Sequence, residues 1–498
     1  MKRSRAVALL QRKRWGTVES RLPIAATKGL YKVKLLTQNI MSLDPLVAIS
    51  PIDGRYRAKT KELANYFSEQ ALIKYRIYVE VEWFIFLLND LKLTGTKPIG
   101  KTDLIKLREI YKYFDTVAAN RVKDIEKVTN HDVKAVEYYI KENIKDLAVD
   151  KYSEFIHFGC TSEDISNLSV AMMLRDAVKE VVLPLTSGLI QSLYDRAKEY
   201  KNVALLALTH GQPASPTTVG KEFINVVERL SRQYKQLQGQ TYLGKINGAV
   251  GNFNAHLSAY SGVDWLKASE KFVTKLGLTH SKYTTQIEPH DFMAENFHNM
   301  IRMNNIVLDF DRDIWTYISR GIFKQKLKKG EIGSSTMPHK VNPIDFENSE
   351  GNLGLANCIF EHMAAKLPIA RMQRDLTDST VQRNIGIGYG YTVLAVKATI
   401  NGLNKLDINK ARAKEELDGN WEVLGEAVQT VMRRHLVEGA YEKLKELTRG
   451  KRLDKFKYQK FVKSLEIPVK DKNSLLKLTP EKYIGMAVKL VEGYKLEV

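Results

Sequence analysis

From about Met41 onward the apolar positions repeat at helical spacing. Val219, Phe223, Val226, Leu230, Tyr234 and Leu237 step by 4, 3, 4, 4 and 3, and Val307, Phe310, Ile314, Ile318 and Ile322 by 3, 4, 4 and 4. Each set is one apolar face of a long helix. Leu168, Met172, Val178, Val182, Leu185 and Leu189 predict another, kinked at Pro184, which has no N–H to give the preceding turn. Strand-like alternation is scarce, and no internal repeat or low-complexity tract interrupts the pattern. Long helices with one broad apolar face must pack on one another. The expected fold class is therefore all-α, with a central bundle of long helices.

Short polar segments rich in Gly, Pro, Ser and Thr separate these stretches. They are SPIDGRY (50–56), NHD (130–132), HFGCTSED (157–164), THGQPA (209–214), TTQIEPHD (284–291), GSSTMPHKVNP (333–343) and RMQRDLTDSTVQR (371–383). Loops held by a rigid scaffold are where functional groups concentrate. Five of the ten histidines lie in them: His131, His157, His210, His290 and His339. That is a modest enrichment and carries little by itself.

Composition narrows the chemistry. The 498 residues, 44% hydrophobic, suffice for a large core and, at roughly 150 residues per domain, for about three domains. No run of 18 apolar residues occurs, so no membrane-spanning helix is expected. Two cysteines, Cys160 and Cys358, are too few for a disulfide framework and form no metal-like pair, which points to a reducing compartment. HExxH, CxxC and GxxxxGK[ST] are all absent, so zinc hydrolysis and P-loop chemistry lack support and neither metal nor cofactor is expected. Gly386, Gly388 and Gly390 in GIGYGY are a weak dinucleotide signal, with no strand leading into them. The net charge of +20 suits nucleic acid, a membrane surface or small anions. Its distribution weakens the first two: residues 1–40 hold ten basic side chains and one acid, Glu19, a net +9. This leader reads as a transit peptide, or equally as translated sequence upstream of a working start at Met41. In both cases it stands outside the fold.

The GSSTMPHKVNP loop is the most informative segment. Backbone N–H groups of a Gly/Ser turn can hold a carboxylate, and Lys340 adds a positive charge. A serine in that field can act as base or nucleophile. Taken singly, every loop residue has a plainer explanation. Gly-Ser-Ser is a turn before a helix with Pro343 near its start. His210 before Gly211 is a helix C-cap, and NHD a helix N-cap. Arg55–Tyr56 is a turn after Asp53-Gly54. Glu347 is a solvated helix residue, and Arg371 and Arg374 are surface charges. Only the ordered joint occurrence reverses those odds.

GSSTMPHKVNP resembles the signature loop of the fumarase–aspartase superfamily. IDFENSEGNLGLAN, SPIDGRY, TNHDVKAVEYY, FIHFGCTSEDISNLS, THGQPASPTTVGKE, LGKINGAVGN, YTTQIEPHD and RDLTDSTVQRN narrow the resemblance to the adenylosuccinate lyase family, bacterial-type branch. It runs from about Leu43 to the C-terminus. The resemblance implies β-elimination of fumarate from adenylosuccinate, giving AMP, and from the succinylated carboxamide intermediate of purine synthesis (SAICAR), giving AICAR. By position it makes Ser334 the base and His210 the acid, with Glu347 keeping that histidine charged. Lys340 and Asn342 match the groups that stabilise the carbanion. Ser335, Thr161, Ser162 and Gln286 match those that hold the succinyl carboxylates. Arg55, Tyr56, Arg374, Ser379 and Arg383 match the nucleotide-binding set, and guanidinium groups suit phosphate because they bind it bidentately. Thr380, Val381 and Gln382 within that set, Val341 and Asn348 beside the loop, and Asn130, His131 and Asp132 match further substrate contacts. His157 is expected near the phosphate.

The same resemblance implies a small N-terminal helical domain (41–151), a central bundle (152–404) and a C-terminal helical domain (405–498), behind the leader (1–40). It implies a cytoplasmic homotetramer whose active sites draw loops from three chains, with small-molecule substrates and neither nucleic acid nor membrane as partner. An organelle is the alternative if the leader is a transit peptide. Argininosuccinate lyase and fumarase share the GSSxMP loop but need no phosphate site, which the Arg374, Ser379 and Arg383 group argues for. A basic nucleic-acid-binding protein that kept the fold and lost activity is the rival from another class.

Overall fold

A computed structural model describes residues 44–326, 337, 340–448 and 453–497. The leader and the loop serines Ser334 and Ser335 lie outside the described residues. The principal helices are α1 (Glu69–Ile85), α2 (Lys101–Lys112), α3 (Thr116–Thr129), α4 (Asp132–Ile144), α5 (Ser162–Ala177), α6 (Leu183–Glu199), α7 (Val219–Gln238), α8 (Asp291–Ser319), α9 (Ile344–Lys366), α10 (Thr377–Gln382) and α11 (Ile385–Lys405). Strands among the described residues are two or three residues long and pair two by two. The chain is all-α in class.

α7 matches its predicted face: Val219, Phe223, Val226, Leu230, Tyr234 and Leu237 are all buried. α8 buries Val307, Phe310 and Ile314 but ends at Ser319, and Gly321 (φ 76°) turns the chain. Ile322 is therefore buried from the following segment rather than from the helix. The third predicted helix divides. α5 runs into a π turn at Val178–Val182, and α6 starts with Pro184 in its first turn. The missing proline N–H thus falls where a helix tolerates it.

α1 buries apolar residues on both of its faces. Ile73, Ile77, Val81 and Phe84 pack on α2–α4. Leu72, Val79, Trp83 and Phe86 pack into the central core with α5–α9 and α11. GIGYGY lies within α11. A Cβ added to Gly386 would meet Phe67 at 2.5 Å, and one on Gly388 would meet the Phe360 ring at 2.7 Å. Close packing of α11, not phosphate binding, accounts for these glycines. A third cluster joins Leu417, Trp421, Leu424, Val428, Tyr458 and Val462 to Ala204 and Leu206. It anchors the segment that leads into the THGQPA loop.

Candidate active site

Several candidate loops meet at the N-terminus of α5. The Asp164 carboxylate is fully buried and accepts from four donors: Lys245 Nζ at 2.9 Å, and the backbone N–H groups of Thr161, Asn247 and Gly248 at 2.8, 2.9 and 3.0 Å. Asn167 ties in the Lys245 backbone, donating to its carbonyl at 3.0 Å and accepting from its N–H at 2.9 Å. HFGCTSED and LGKINGAVGN are thereby locked together. Thr161 and Ser162 are presented on a rigid helix start.

Next to them, Arg374 Nη1 donates to Glu163 Oε2 at 2.6 Å and lies 3.5 Å from Gln286 Oε1. Gln286 Nε2 donates to the Ala249 carbonyl at 3.0 Å. Asp378 approaches Arg374 Nη2 at 3.6 Å, and the buried His290 ring lies 3.5 Å from Asp378 and 3.2 Å from Gln382. Burial pushes the Glu163 carboxyl up, against the pull of Arg374. Burial also works against ionised Asp378, but the His290 contact and Arg374 outweigh it and hold that carboxyl below the usual range.

A second ion-pair chain begins at NHD. Asn130 ends α3 in the left-handed region (φ 51°), and His131 caps α4, its Nδ1 accepting from Lys134 N–H at 3.1 Å. The cap is the histidine rather than Asn or Asp. Asp132 accepts from the buried Arg76 at 2.8 Å and from Arg383 Nη2 at 3.3 Å. Arg383 also donates to Glu69 at 2.7 Å, and Arg76 to Ser166 at 3.2 Å. Burial alone would raise the Asp132 carboxyl, but Arg76 overrides it and the net shift is downward. These groups surround a cavity of about 270 Å³ lined by Arg76, Glu163, Ser166, Ser379, Gln382 and Arg383, with Phe67, Leu72 and Ile385 as apolar wall. Arg55 and Tyr56 lie in a turn at 50–56, the Arg55 guanidinium 5.8 Å from the Tyr56 ring centre. His157 Nδ1 lies 2.6 Å from the buried Glu80. Burial disfavours its charged form, but Glu80 wins and raises the imidazole.

The remaining candidates lie on other elements. His210 and Gly211 (φ 54° and 72°) are the two central residues of an antiparallel hairpin, Leu208–Thr209 against Gln212–Pro213. Positive φ at both is the type I′ pattern, so His210 is a hairpin tip and not a helix cap. Glu426, bonded to Ser215 and to Tyr483, steadies the hairpin's flank. Glu347 and Asn348 lie in α9, with Lys340, Val341 and Asn342 just before it. Val341 O accepts from Gln325 Nε2 at 3.2 Å. Glu347 and His210 are both exposed. Among the described residues no hydrogen bond or ion pair joins them, and none joins the side chain of either to the Arg374–Arg383 cluster.

Sequence reasoning gave no role to Glu163, Asp378, His290, Arg76 and Glu80. Arg76 and Glu80 did leave a signal: charges inside the apolar run of α1 need partners when buried. Backbone geometry marks others. Of eight non-glycine residues with positive φ among those described, four are Asn130, His157, His210 and His290, and such strain collects at functional sites. No group of three or more His, Cys, Asp and Glu able to hold a metal occurs among the described residues, and no helix there is long and apolar enough to cross a membrane.

Comparison with known proteins identifies the family and the fold. Residues 54–357 match the family described as Lyase, and residues 370–484 the one described as Adenylosuccinate lyase C-terminal. An adenylosuccinate lyase of Haemophilus influenzae is 56% identical over 453 residues, covering 91% of this chain and 99% of the relative. One of Escherichia coli K12 is 53% identical over 456 residues, covering 91% and 100%. Among solved structures, the 3-carboxy-cis,cis-muconate lactonizing enzyme of Pseudomonas putida superposes with a TM-score of 0.69 at 18% identity, covering 88% of this chain and 97% of its own. A fumarate lyase from Mesorhizobium sp. BNC1 gives 0.69 at 16% identity, covering 87% and 97%. Those two likenesses concern the fold.

Proposed function

The chain belongs to the adenylosuccinate lyase family, and from that premise we propose how its loops divide the work of eliminating fumarate. It is a C–N lyase that cleaves adenylosuccinate to AMP and fumarate, and SAICAR to AICAR and fumarate. A base removes a proton from the carbon beside one succinyl carboxylate. The electron pair left behind forms the fumarate double bond as the C–N bond breaks. An acid returns a proton to the departing nitrogen.

In this reading Ser334 is the base and His210 the acid, and Glu347 holds the imidazole charged. A positioned acid or base contributes typically 10²–10⁴-fold. Lys340 and Asn342 offset the charge that develops on the carboxylate. Ser335, Thr161, Ser162 and Gln286 hold the succinyl carboxylates. Arg55, Tyr56, Arg374 and the Ser379–Arg383 segment hold the nucleotide, with Asn130, His131, Asp132 and His157 alongside. The observation that carries this reading is the cavity lined by Arg76, Ser379, Gln382, Arg383 and Glu163, whose arginines share Asp132 and whose Glu163 is held by Arg374, itself 3.5 Å from Gln286. These are cations fixed by carboxylate partners, suited to a phosphorylated, multiply carboxylated substrate.

That no hydrogen bond or ion pair joins His210 and Glu347 among the described residues of one chain supports a shared-site homotetramer, in which the two meet across copies. The cysteine usage supports a cytoplasmic enzyme, and mass spectrometry of the mature N-terminus separates that from an organelle-targeted form. Fumarate release from adenylosuccinate, SAICAR, argininosuccinate and malate, each supplied alone, tests the assignment. Release from argininosuccinate with none from adenylosuccinate would overturn it.

A further inference from the structure

Glu347 has a partner that the resemblance does not assign. Trp315, on α8, donates its indole Nε1–H to Glu347 Oε1 at 3.0 Å. Two more contacts hold α8 and α9 in register at this level. Arg312 donates to Glu350 at 2.7 Å. One turn before Trp315, the buried Asp311 lies 3.0 Å from the Thr399 hydroxyl, itself 2.8 Å from Ser349. The backbone that carries Glu347 is therefore fixed from below, and the indole fixes its side chain from beside.

Within one chain Trp315 is 43% exposed. Its N–H is nonetheless committed to a carboxylate. Glu347 Oε2 has no hydrogen bond among the described residues, and an ionised carboxylate accepts on both oxygens. One oxygen is anchored, on a side chain that is exposed within one chain.

We propose that Trp315 is a positioning residue for the elimination, holding Glu347 in the conformation whose other oxygen receives the His210 imidazole of a second copy of this chain. This rests on the roles given above to Glu347 and His210. A free glutamate side chain loses considerable rotamer freedom when ordered. The indole orders it before substrate arrives. Trp315 acts on the proton-donating step and not on the groups that hold phosphate and carboxylates, so its loss appears in kcat and not in KM.

The test replaces Trp315 in the full-length enzyme with β-(3-benzothienyl)alanine, which keeps the indole's shape and lacks the N–H, and in parallel makes Trp315→Phe. Both are placed in wild-type and Glu347→Ala backgrounds, with assembly checked by size exclusion. The expected result is an about tenfold lower kcat with KM within twofold in the wild-type background, and a change of less than twofold in the Glu347→Ala background. Wild-type kcat in the benzothienyl variant, beside a crippled Glu347→Ala, overturns the inference and leaves the role of Glu347 standing. The same loss in both backgrounds also overturns it, since the ring would then act independently of Glu347. Near-normal turnover of Glu347→Ala removes the role of Glu347 and this inference with it.

Discussion

Lys245→Met is expected to destabilise the protein by about 3–5 kcal/mol, the range for removing one partner of a buried ion pair. Lys245 and Asp164 are both fully buried and 2.9 Å apart. Methionine replaces most of the lysine stem, so the loss is mainly of charge and hydrogen bonding. Asp164 keeps its three backbone donors, Thr161, Asn247 and Gly248, which places the effect toward the lower end. The same three donors set up a sharper test. An isolated buried ion pair can usually be replaced by apolar residues at little or no cost. Here an Asp164→Leu/Lys245→Met double variant strips the acceptor from two buried N–H groups and one part-buried one, each worth about 1–3 kcal/mol when left unmade. The double variant should therefore remain at least about 3 kcal/mol less stable than wild type. Urea unfolding followed by the fluorescence of the five tryptophans reads both, with the slope checked for constancy. A cost below about 1 kcal/mol for Lys245→Met, or a double variant as stable as wild type, would refute the account of this carboxylate as a hub for the loop backbone.

Ser334→Ala and His210→Ala should each lower kcat by about 10²–10⁴-fold without dissociating the assembly. Mixing and reannealing the two inactive variants should restore part of the fumarate-forming activity, because some mixed sites would then hold an intact Ser334 and an intact His210. Arg374→Lys should raise KM for adenylosuccinate by about tenfold, since an ammonium cannot span Glu163, Gln286 and substrate as the guanidinium fork does; an unchanged KM would count against its place in the site. Glu80→Gln removes the group that raises His157. A raised histidine contributes stability that is fully present below its unfolded value of about 6.5 and fades as pH climbs through the folded value. The melting-temperature gap between wild type and Glu80→Gln should therefore be wider at pH 6 than at pH 8.5.

Much of the fold was legible because helical periodicity is a local signal. The α7 face is buried as its spacing predicts, and the α8 face holds as far as Ile314. Failures occurred where a local pattern outran its element. Ile322 continues the α8 spacing beyond Gly321, where the chain has already turned. The Pro184 kink became a π turn followed by a new helix start. GIGYGY carried no phosphate-loop meaning once Phe67 and Phe360 were found packed against it. Locally His210–Gly211 reads as a helix C-cap, and the pairing of Leu208 with Pro213 makes it a hairpin tip instead.

By itself the sequence determined the helical class, the buried faces and, through the order of its loop motifs, the reaction. These depend on residues within a turn or two of one another, or on short strings matched whole. Tertiary structure alone decided which charges meet. Arg374 reaches Glu163 across 211 positions, and Arg383 reaches Asp132 across 251. Such pairs are set by how α1, α4, α5 and α10 pack, which no local spacing encodes. Among the described residues of one chain, the same packing makes no bond between His210 and Glu347. The physical reason is that helix-forming preferences act over about 6 Å along the chain, whereas an active site is built where distant helix ends converge.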